Sequence, residues 1–279
     1  MSVSPTGPHY EVLALRYATT GPQRRRHENF LAHADAHDGP MPMDYYVWAI
    51  RNADRVVVVD TGFGRDAATR RGRALLHEPA DLLRRAGIAP EAVTDVILTH
   101  LHYDHAGGLD AFPKATFHLQ DAEMAFATGR YVCHACLRAP FEVEDVLSAV
   151  RLTYGGRMRF HDGDAELFPG IRLHRIGGHS GGLQAVQVNT KRGPLVLASD
   201  AFHFRENRLR RAPFPIVFHL GQMLEGYLKC EALAGGDEDL MIPGHDPDVA
   251  RRWPALSGDL PDVVRLDLAP VGPWSDPGP

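Results

Sequence analysis

Short apolar runs alternate with polar and glycine-rich stretches along most of the chain. Runs rich in β-branched and aromatic residues predict strands, and these runs are 45–50, 56–62, 93–100, 115–120, 171–176, 183–189, 194–200 and 239–246. Longer stretches with apolar residues at helical spacing predict helices at 78–88, 121–129, 141–154 and 218–236. Pro79 suits the first turn of its helix, Gly87 suits the end, and Asp121 suits an N-cap.

Strands and helices are interspersed, and several strands are separated by hairpin-like spacings. This order favours an α/β (α+β) fold of mixed sheets covered by helices over a purely parallel doubly wound sheet. We expect a single domain over 1–269, in which 1–44 forms a cap or loop region. Residues 270–279 are rich in Pro and Gly, and we expect them to form a mobile tail.

Composition narrows the classes of protein. The 279 residues are 44% hydrophobic and carry a net charge of −5, which suits a globular protein and argues against nucleic acid as a partner. We find no apolar run long enough for a membrane span, no signal peptide, and three cysteines, and we therefore expect a cytoplasmic protein. Two short basic runs, Arg24 to Arg26 and Arg208 to Arg211, are expected to be solvated faces.

The segment 97–108, ILTHLHYDHAGG, contains three histidines and one aspartate that follow a predicted strand. Because alternate residues of an extended chain point the same way, His100 and His102 can face one point. Asp104 and His105 lie further along and can face a second point nearby. Imidazole and carboxylate ligands suit zinc, iron or manganese, so the segment predicts two adjacent metal positions.

Further residues of the ligand type follow later strands. His179 lies in a glycine-rich loop after 171–176, Asp200 directly follows 195–199, and His245 follows a short apolar strand. Loops at strand ends are common positions for binding sites, because the sheet fixes them. Each of these three signals is weak alone, and together with the first cluster they indicate one composite metal site.

The motifs THLHYDHAGG, GGHSGG, SDAF and PGHD occur in the order that is found in the metallo-β-lactamase-fold hydrolases. The chain resembles this family from about residue 45 to about residue 246. The resemblance implies an αβ/βα sandwich with the site along one edge. It also implies that Asp60, in the motif VVDTG, supports the metal site.

The resemblance further implies a ligand set for two divalent ions, which we expect to be zinc, with iron or manganese as alternatives. The first ion would be held by His100, His102 and His179. The second would be held by Asp104, His105 and His245, and Asp200 would bridge both. A bridging aspartate is similar to the glyoxalase II and lactonase branches of the family.

We expect the reaction to be hydrolysis by a hydroxide that bridges the two ions. The pattern looks most like the quorum-quenching N-acyl homoserine lactonases, so the expected substrate is a small lactone. Asp104 has a second candidate role, which is to carry the proton of that hydroxide to the leaving alkoxide. Ser180 lacks the strand–nucleophile–helix context of a serine hydrolase, and we do not expect it to be a nucleophile.

His203 departs from the lactonase pattern, which commonly has tyrosine three residues after the bridging aspartate. An imidazole at this position could donate a hydrogen bond to a developing oxyanion. A packing or supporting role is an equal alternative. The departure leaves the identity of the lactone open.

Other functions remain possible at this point. One is a thioesterase of the glyoxalase II kind or an esterase for a different lactone, and a glutathione thioesterase should present basic residues for a carboxylate. Another is an iron-containing redox protein of the same fold. A third is a metal-binding protein without catalysis. We also regard a homodimer as possible.

The remaining features favour structural explanations. Cys133 and Cys136 form an isolated C-x-x-C pair, which we expect to be a loop or helix near the cleft rather than a zinc or redox site. Cys230 is expected to be buried in a helix. We expect His27, His33 and His37 to be surface residues. The apolar segments 41–48 and 214–224 are candidates for an acyl pocket, although such segments more often form core.

Overall fold

The computed structural model of the chain describes residues 7–31 and 38–275. The strands in this part of the chain are β1 (Glu11–Thr19), β2 (Asp44–Arg51), β3 (Val56–Val59), β4 (Ala74–Leu75), β5 (Asp95–Ile97), β6 (Thr116–Gln120), β7 (Met158–His161), β8 (Ala165–Phe168), β9 (Ile171–Arg175), β10 (Gln184–Thr190), β11 (Gly193–Ser199), β12 (Met241–Pro243) and β13 (Val263–Arg265). The α-helices are α1 (Arg65–Arg71), α2 (Pro79–Arg85), α3 (Tyr103–Ala106), α4 (Asp121–Ala127), α5 (Ala135–Arg138), α6 (Val143–Tyr154), α7 (Arg205–Leu209), α8 (Leu220–Leu233) and α9 (Asp248–Arg252).

The described strands form two mixed sheets. The first has eight strands in the order β13-β1-β2-β3-β5-β6-β7, with β4 paired to β1. Its strands β3, β5, β6 and β7 are parallel to one another, and the other pairs are antiparallel. The second sheet has five strands in the order β12-β11-β10-β9-β8, and only β11 and β12 are parallel. The predicted mixed α/β class is confirmed.

The central strands of the first sheet are buried on both faces. In β2, Trp48 and Ile50 belong to an apolar cluster that includes Leu173 of the second sheet. The alternate residues Val47 and Ala49 belong to a cluster that includes the helices. Because successive side chains of a strand point to opposite faces, β2 lies between the second sheet and a helical layer. This explains why the strand is a continuous apolar run in the sequence.

Helices cover the outer faces of both sheets. Leu82 of α2, Phe126 of α4 and Ala149 of α6 pack in the cluster of the first sheet. Tyr227 and Cys230 of α8 pack in the cluster of the second sheet, so the prediction that Cys230 is buried is confirmed. The arrangement is the expected αβ/βα sandwich, and its helical layers leave the strand ends free to carry a site.

The helix α2 begins and ends as its sequence predicts. Pro79 occupies the first helical position, where its missing N–H costs no hydrogen bond. Gly87 follows the helix with a φ of 81°, a conformation that favours glycine. In the described chain, no α-helix combines the length and the apolar character needed to cross a bilayer.

The N-terminal segment corrects one expectation. Residues 1–44 were expected to form a cap or loop region, but β1 lies inside the first sheet between β2 and β13. The segment contains Arg16 among its apolar residues, which obscures the strand pattern. Arg16 forms ion pairs with Asp44 and Asp262, so its charge is satisfied by residues distant in sequence.

The described part of the C-terminal segment, up to Ser275, makes contacts with α9 and the residue after it. The ring of Trp274 contacts that of Trp253 with centroids 5.6 Å apart, and the N–H of Ser275 donates to Asp248 at 2.7 Å. The mobile tail over 270–279 and the single domain over 1–269 stay predictions.

A leucine pair tests the sandwich. Leu173 is fully buried between the sheets, whereas Leu228 of α8 is 49% exposed. We expect Leu173→Ala to lower the free energy of unfolding by about 2–5 kcal/mol, because it leaves a cavity in the core. The control Leu228→Ala should change it by less than about 0.5 kcal/mol. Equal losses in urea denaturation would contradict the assignment of the two faces.

Candidate metal centre

The candidate residues lie where strands of both sheets end. Asp60 follows β3, the segment with His100 follows β5, and His179 lies in the loop after β9. Asp200 and His245 follow β11 and β12. These loops meet at one edge of the sandwich, so residues distant in sequence form one centre.

All seven predicted ligands are buried and converge in space. His100, His102 and His179 form one group whose ligand atoms all lie within 4.8 Å of one another, and Asp104, His105 and His245 form a second such group. A further group contains His100, His105 and Asp200. The two triads coincide with those that the family resemblance implies. That these residues bind metal stays a prediction.

Asp200 connects the two triads through its two carboxylate oxygens. Its Oδ1 lies 3.3 Å from Nε2 of His105 and 3.1 Å from Nε2 of His245. Its Oδ2 lies 3.1 Å from Nε2 of His179 and 3.9 Å from Nε2 of His100. Each oxygen therefore faces imidazoles of a different triad.

Hydrogen bonds from the opposite ring nitrogens fix three of these imidazoles. Nδ1 of His105 pairs with the carboxylate of Asp60 at 2.7 Å, Nδ1 of His179 with the carbonyl of Ile216 at 2.9 Å, and Nδ1 of His245 with the carbonyl of Asp44 at 2.8 Å. A carbonyl oxygen only accepts, so Nδ1 of both His179 and His245 must carry the proton. In the neutral ring, Nε2 then offers a lone pair toward the centre.

The lone pairs point to a cation between the groups. In the neutral ring, Nε2 of His245 is an acceptor, and it lies 3.1 Å from Oδ1 of Asp200, which is also an acceptor. Nε2 of His100 and Nε2 of His105 are buried without a hydrogen-bond partner in the described chain. Buried polar atoms without a partner cost free energy, and metal ions held by the two triads would satisfy these atoms. The donor set of imidazole and carboxylate fits a metal of the zinc type.

Burial and neighbouring charges set the protonation of the centre. Burial, followed by the neighbouring histidines, lowers the pKa of His100 and of His102 well below the ordinary value, so both rings are neutral. Burial opposes charge on Asp200, but the surrounding histidines hold its pKa well below the ordinary range. Burial also opposes charge on His105, yet Asp200, Asp104 and Asp60 raise its pKa well above the ordinary value.

Asp60 supports His105, as the resemblance implies. One carboxylate oxygen accepts the N–H of Thr99 at 2.7 Å, and the other accepts the Thr99 hydroxyl at 2.8 Å as well as the ring of His105. Asp60 has a φ of 61° and Ser199, before Asp200, has a φ of 47°. Left-handed backbone at non-glycine residues clusters at functional sites. Here it turns the backbone sharply at the ends of β3 and β11.

Glu123 joins two ligand loops, and the sequence analysis missed it. This fully buried carboxylate of α4 accepts the N–H of Leu101 at 3.0 Å and the N–H of Gly182 at 2.8 Å. It also accepts the hydroxyl of Ser180 at 2.6 Å, so Ser180 has a supporting contact. A charged residue on the same helix face as the buried Phe126 was the signal that could have revealed it.

Close backbone approach explains two glycines of the loop around His179. A Cβ on Gly182 would lie 2.2 Å from the backbone N of Glu123, and one on Gly178 would lie 2.4 Å from the backbone N of Met223. Contacts this short are impossible without displacing backbone. The glycines therefore let the loop lie between α4 and α8.

His203 lies within the centre. Its Nε2 is 3.0 Å from Oδ2 of Asp200, and its ring stacks on Phe214 with centroids 3.7 Å apart. Burial lowers its pKa to about 3, so the ring is neutral. His179, Asp200 and His203 also form a group that could hold a metal ion. These contacts favour the supporting alternative for His203, and its role stays a prediction.

A cavity of about 260 Å³ opens onto the centre. His102, Asp104, His179, Asp200 and His203 line it on the metal side. From the two segments proposed for an acyl pocket, the cavity is lined only by Met43 and by 214–216. Other residues of these segments, such as Tyr45 and Trp48, belong to the buried clusters.

The remaining candidates take no part in the metal-ligand groups. Cys133 and Cys136 are exposed and unpaired, and Cys136 also lines the cavity. His27 lies in an exposed turn and faces Asp38, whereas His33 and His37 lie outside the described residues.

The basic runs are not simply solvated faces. Arg208 is 6% exposed and pairs with Glu231 and Glu238, because α7 packs beside them. Arg24 lines the cavity. Both positions correct the expectation from the sequence.

Comparison with known proteins gives concordant matches. An N-acyl homoserine lactonase from Bacillus sp is 27% identical over 226 residues, which cover 75% of this chain and 84% of that protein. The solved structure of an N-acyl homoserine lactone hydrolase, with N-hexanoyl-L-homoserine bound at its catalytic metal centre, has a TM-score of 0.70 at 21% identity and covers 88% of this chain and 96% of its own. A dizinc quorum-quenching lactonase has a TM-score of 0.65 at 17% identity, with coverage of 88% and 90%.

The family model of the metallo-beta-lactamase superfamily matches residues 41–245, which include all seven candidate ligands. The two solved structures share the fold of this chain over nearly their whole lengths. Together with the strand-end centre, the match shows that this chain belongs to the metallo-beta-lactamase superfamily.

Proposed function

We propose that this chain is a dinuclear metal-dependent hydrolase that opens the lactone ring of N-acyl homoserine lactones. The observation that carries the proposal is the position of Asp200, whose two oxygens face imidazoles of two separate triads. A carboxylate in this position can serve two ions at once. The relative from Bacillus sp is named for the same activity, which supports the choice of substrate.

The ligand assignment follows the two triads. His100, His102 and His179 would hold the first ion, and Asp104, His105 and His245 would hold the second. Asp200 would contact both. A donor set of five imidazoles and two carboxylates suits zinc best. Iron and manganese also bind such donors. The dizinc composition of the lactonase with the same fold supports zinc.

When bound, the two ions would supply Lewis acidity and would lower the pKa of a water toward about 7. The residues of the chain orient this chemistry. Asp104 lines the cavity, and its Oδ2 lies 3.7 Å from Nε2 of His105 and 3.8 Å from Nε2 of His245. From this position it can take the proton of the attacking water and return it to the ring oxygen as the C–O bond breaks. The released hydroxyl stays on the product, because the ester is cyclic.

His203 and Tyr17 position the acidic residues in this proposal. The neutral ring of His203 donates from Nε2 to Asp200 and is held flat by Phe214. The hydroxyl of Tyr17 donates to the backbone carbonyl of Asp104 at 2.9 Å, which fixes the loop that carries it. The first contact orients the carboxylate of Asp200 and the second fixes the backbone of Asp104, which lowers the cost of ordering these residues during the reaction.

The cavity is consistent with a small lactone that carries an acyl group. Met43, Phe214 and Ile216 supply an apolar wall beside the centre. Its volume of about 260 Å³ lies just below the range of roughly 300–1,000 Å³ that is usual for ligand pockets. A short acyl chain therefore fits better than a long one.

Metal content tests the dinuclear assignment. We expect two zinc ions per chain by mass spectrometry, and we expect chelation to abolish lactone hydrolysis and to lower the unfolding temperature. Ions that bind the folded centre and not the unfolded chain stabilise the folded state. His100→Ala should lose at least one ion, whereas His118→Ala, which alters a buried histidine bound to Asp95, should keep both. One ion per chain in the intact protein would contradict the assignment.

A substrate panel tests the reaction class. We expect the zinc-loaded chain to hydrolyse acyl homoserine lactones at least about tenfold faster, by kcat/KM, than linear aryl esters or glutathione thioesters. A pH-stat records the acid that ring opening releases. A preference for the thioester would favour the glyoxalase II alternative. Stoichiometric iron without lactone turnover would favour a redox protein.

Asp104→Asn tests the proton transfer. We expect kcat to fall by about 10²–10⁴, because the amide cannot carry the proton, while most of the metal stays bound. The control Asp110→Asn alters an exposed residue in the same loop and should retain the activity. Full turnover by Asp104→Asn at unchanged metal content would exclude this role.

A further inference from the structure

Two arginines of the cavity wall have no carboxylate partner. Arg24, in the loop after β1, and Arg73, after α1, line the cavity together with the metal-side residues. Nε of Arg24 donates to the amide oxygen of Asn29 at 2.6 Å, and its Nη2 donates to the carbonyl of Glu28 at 3.0 Å. Nε of Arg73 donates to the hydroxyl of Tyr103 at 3.2 Å. In the described chain, neither guanidinium forms an ion pair.

The third arginine of the wall has a different environment. Nε of Arg71 donates to the carboxylate of Glu142 at 2.9 Å, and its Nη groups donate to the carbonyls of Ala139 and Phe141. The charge of Arg71 is therefore neutralised by Glu142, and its N–H groups donate to acceptors of the chain itself. In the described chain, Nη1 of Arg24 and both Nη groups of Arg73 have no hydrogen-bond acceptor, and this distinguishes the two residues from Arg71.

Each of the two guanidiniums is separated from a histidine of the centre by one aromatic ring. Arg24 lies 5.3 Å from the centroid of Phe214, which stacks on His203. Arg73 lies 6.0 Å from the centroid of Tyr45, which contacts His245 edge to face at 5.2 Å. Each positive charge is therefore separated from the candidate centre by the width of about one aromatic ring.

Arg24 and Arg73 bring two positive charges into a partly enclosed cavity. Burial, together with the charge of Arg73, lowers the pKa of Arg24, although the carboxylate of Glu28 acts in the opposite direction. Burial also opposes charge on Arg73, yet its neighbours, which include Asp104, raise its pKa. Two divalent ions would add further positive charge. A bound carboxylate would neutralise this cluster through charge-assisted hydrogen bonds.

We propose that Arg24 and Arg73 bind a carboxylate at the end of the acyl substituent, so that the substrate is a lactone with a short, negatively charged acyl chain. This inference rests on the proposed lactone hydrolysis and adds the charge of the substrate to it. The small cavity favours a short chain, since its arginines lie one ring away from the centre. A long apolar chain would instead cover both guanidiniums without pairing them.

A pair of substrates that differ only in charge tests the proposal. N-succinyl homoserine lactone ends in a carboxylate, and N-succinamoyl homoserine lactone ends in a carboxamide of the same shape. We expect kcat/KM to be at least about tenfold higher for the carboxylate, mainly through a lower KM, and the ratio to decline as salt is added. An equal kcat/KM for the two lactones would overturn the proposal.

Matched variants assign the preference to the two arginines. Arg24→Met and Arg73→Met should each lower the carboxylate-to-carboxamide ratio about tenfold, at unchanged zinc content and unfolding temperature. The control Arg65→Met removes an arginine of α1 whose side chain is 78% exposed, and it should leave the ratio unchanged. A parallel loss on both substrates in the arginine variants would show that these residues only shape the wall.

A binding measurement separates this proposal from the proposed function. If the zinc-loaded protein opens neither lactone, lactone hydrolysis is wrong. Calorimetric titration with ring-opened N-succinyl homoserine then decides the arginine site. Binding that weakens about tenfold in Arg24→Met and Arg73→Met supports a carboxylate site, and equal binding by wild type and variants overturns it.

Discussion

The structure of the centre depends on the convergence of buried imidazoles on one buried carboxylate. Both oxygens of Asp200 lie near imidazole nitrogens, and Nε2 of His245 faces Oδ1 at 3.1 Å. A buried carboxylate costs free energy unless hydrogen bonds or positive charge compensate for its lost hydration. The ring of His203 donates one such hydrogen bond, and bound metal ions would supply positive charge. The fold therefore brings together polar groups that are stable only with such partners.

Contacts around the centre hold these residues in their converging positions. Asp60 and Glu123 are fully buried carboxylates, and each is saturated by hydrogen bonds from backbone and side chains. Asp60 connects the ends of β3 and β5, while Glu123 connects the loop after β5 to the loop around His179. The two carboxylates thus fix the relative positions of loops that come from both sheets. Left-handed backbone costs of order 1–3 kcal/mol per residue, and at Asp60 these contacts hold the residue in that conformation.

Sequence patterns predicted the parts of the molecule whose signals are local. The strands before His100 and Asp200 are apolar runs that end in polar residues, so both the element and the ligand are visible in one short segment. The strand β1 was missed, since Arg16 interrupts its pattern and is neutralised by residues far away in the chain. The packing of Trp274 on Trp253 was missed because the Pro- and Gly-rich segment around it has no strand or helix pattern. Glu123 resembles an ordinary helix residue until the loops that it joins are seen in three dimensions.

Arg24 shows most clearly why local sequence was insufficient for the cavity. In the sequence it belongs to a run of three arginines, and such runs are usually solvated. In the structure the neighbours diverge: Arg25 pairs with Asp38, whereas Arg24 turns toward Phe214 and the centre. Whether each arginine of the run forms an ion pair depends on contacts with segments that are distant in the sequence. An unpaired cation that lines the cavity beside the candidate centre is therefore a candidate contact for a negatively charged ligand.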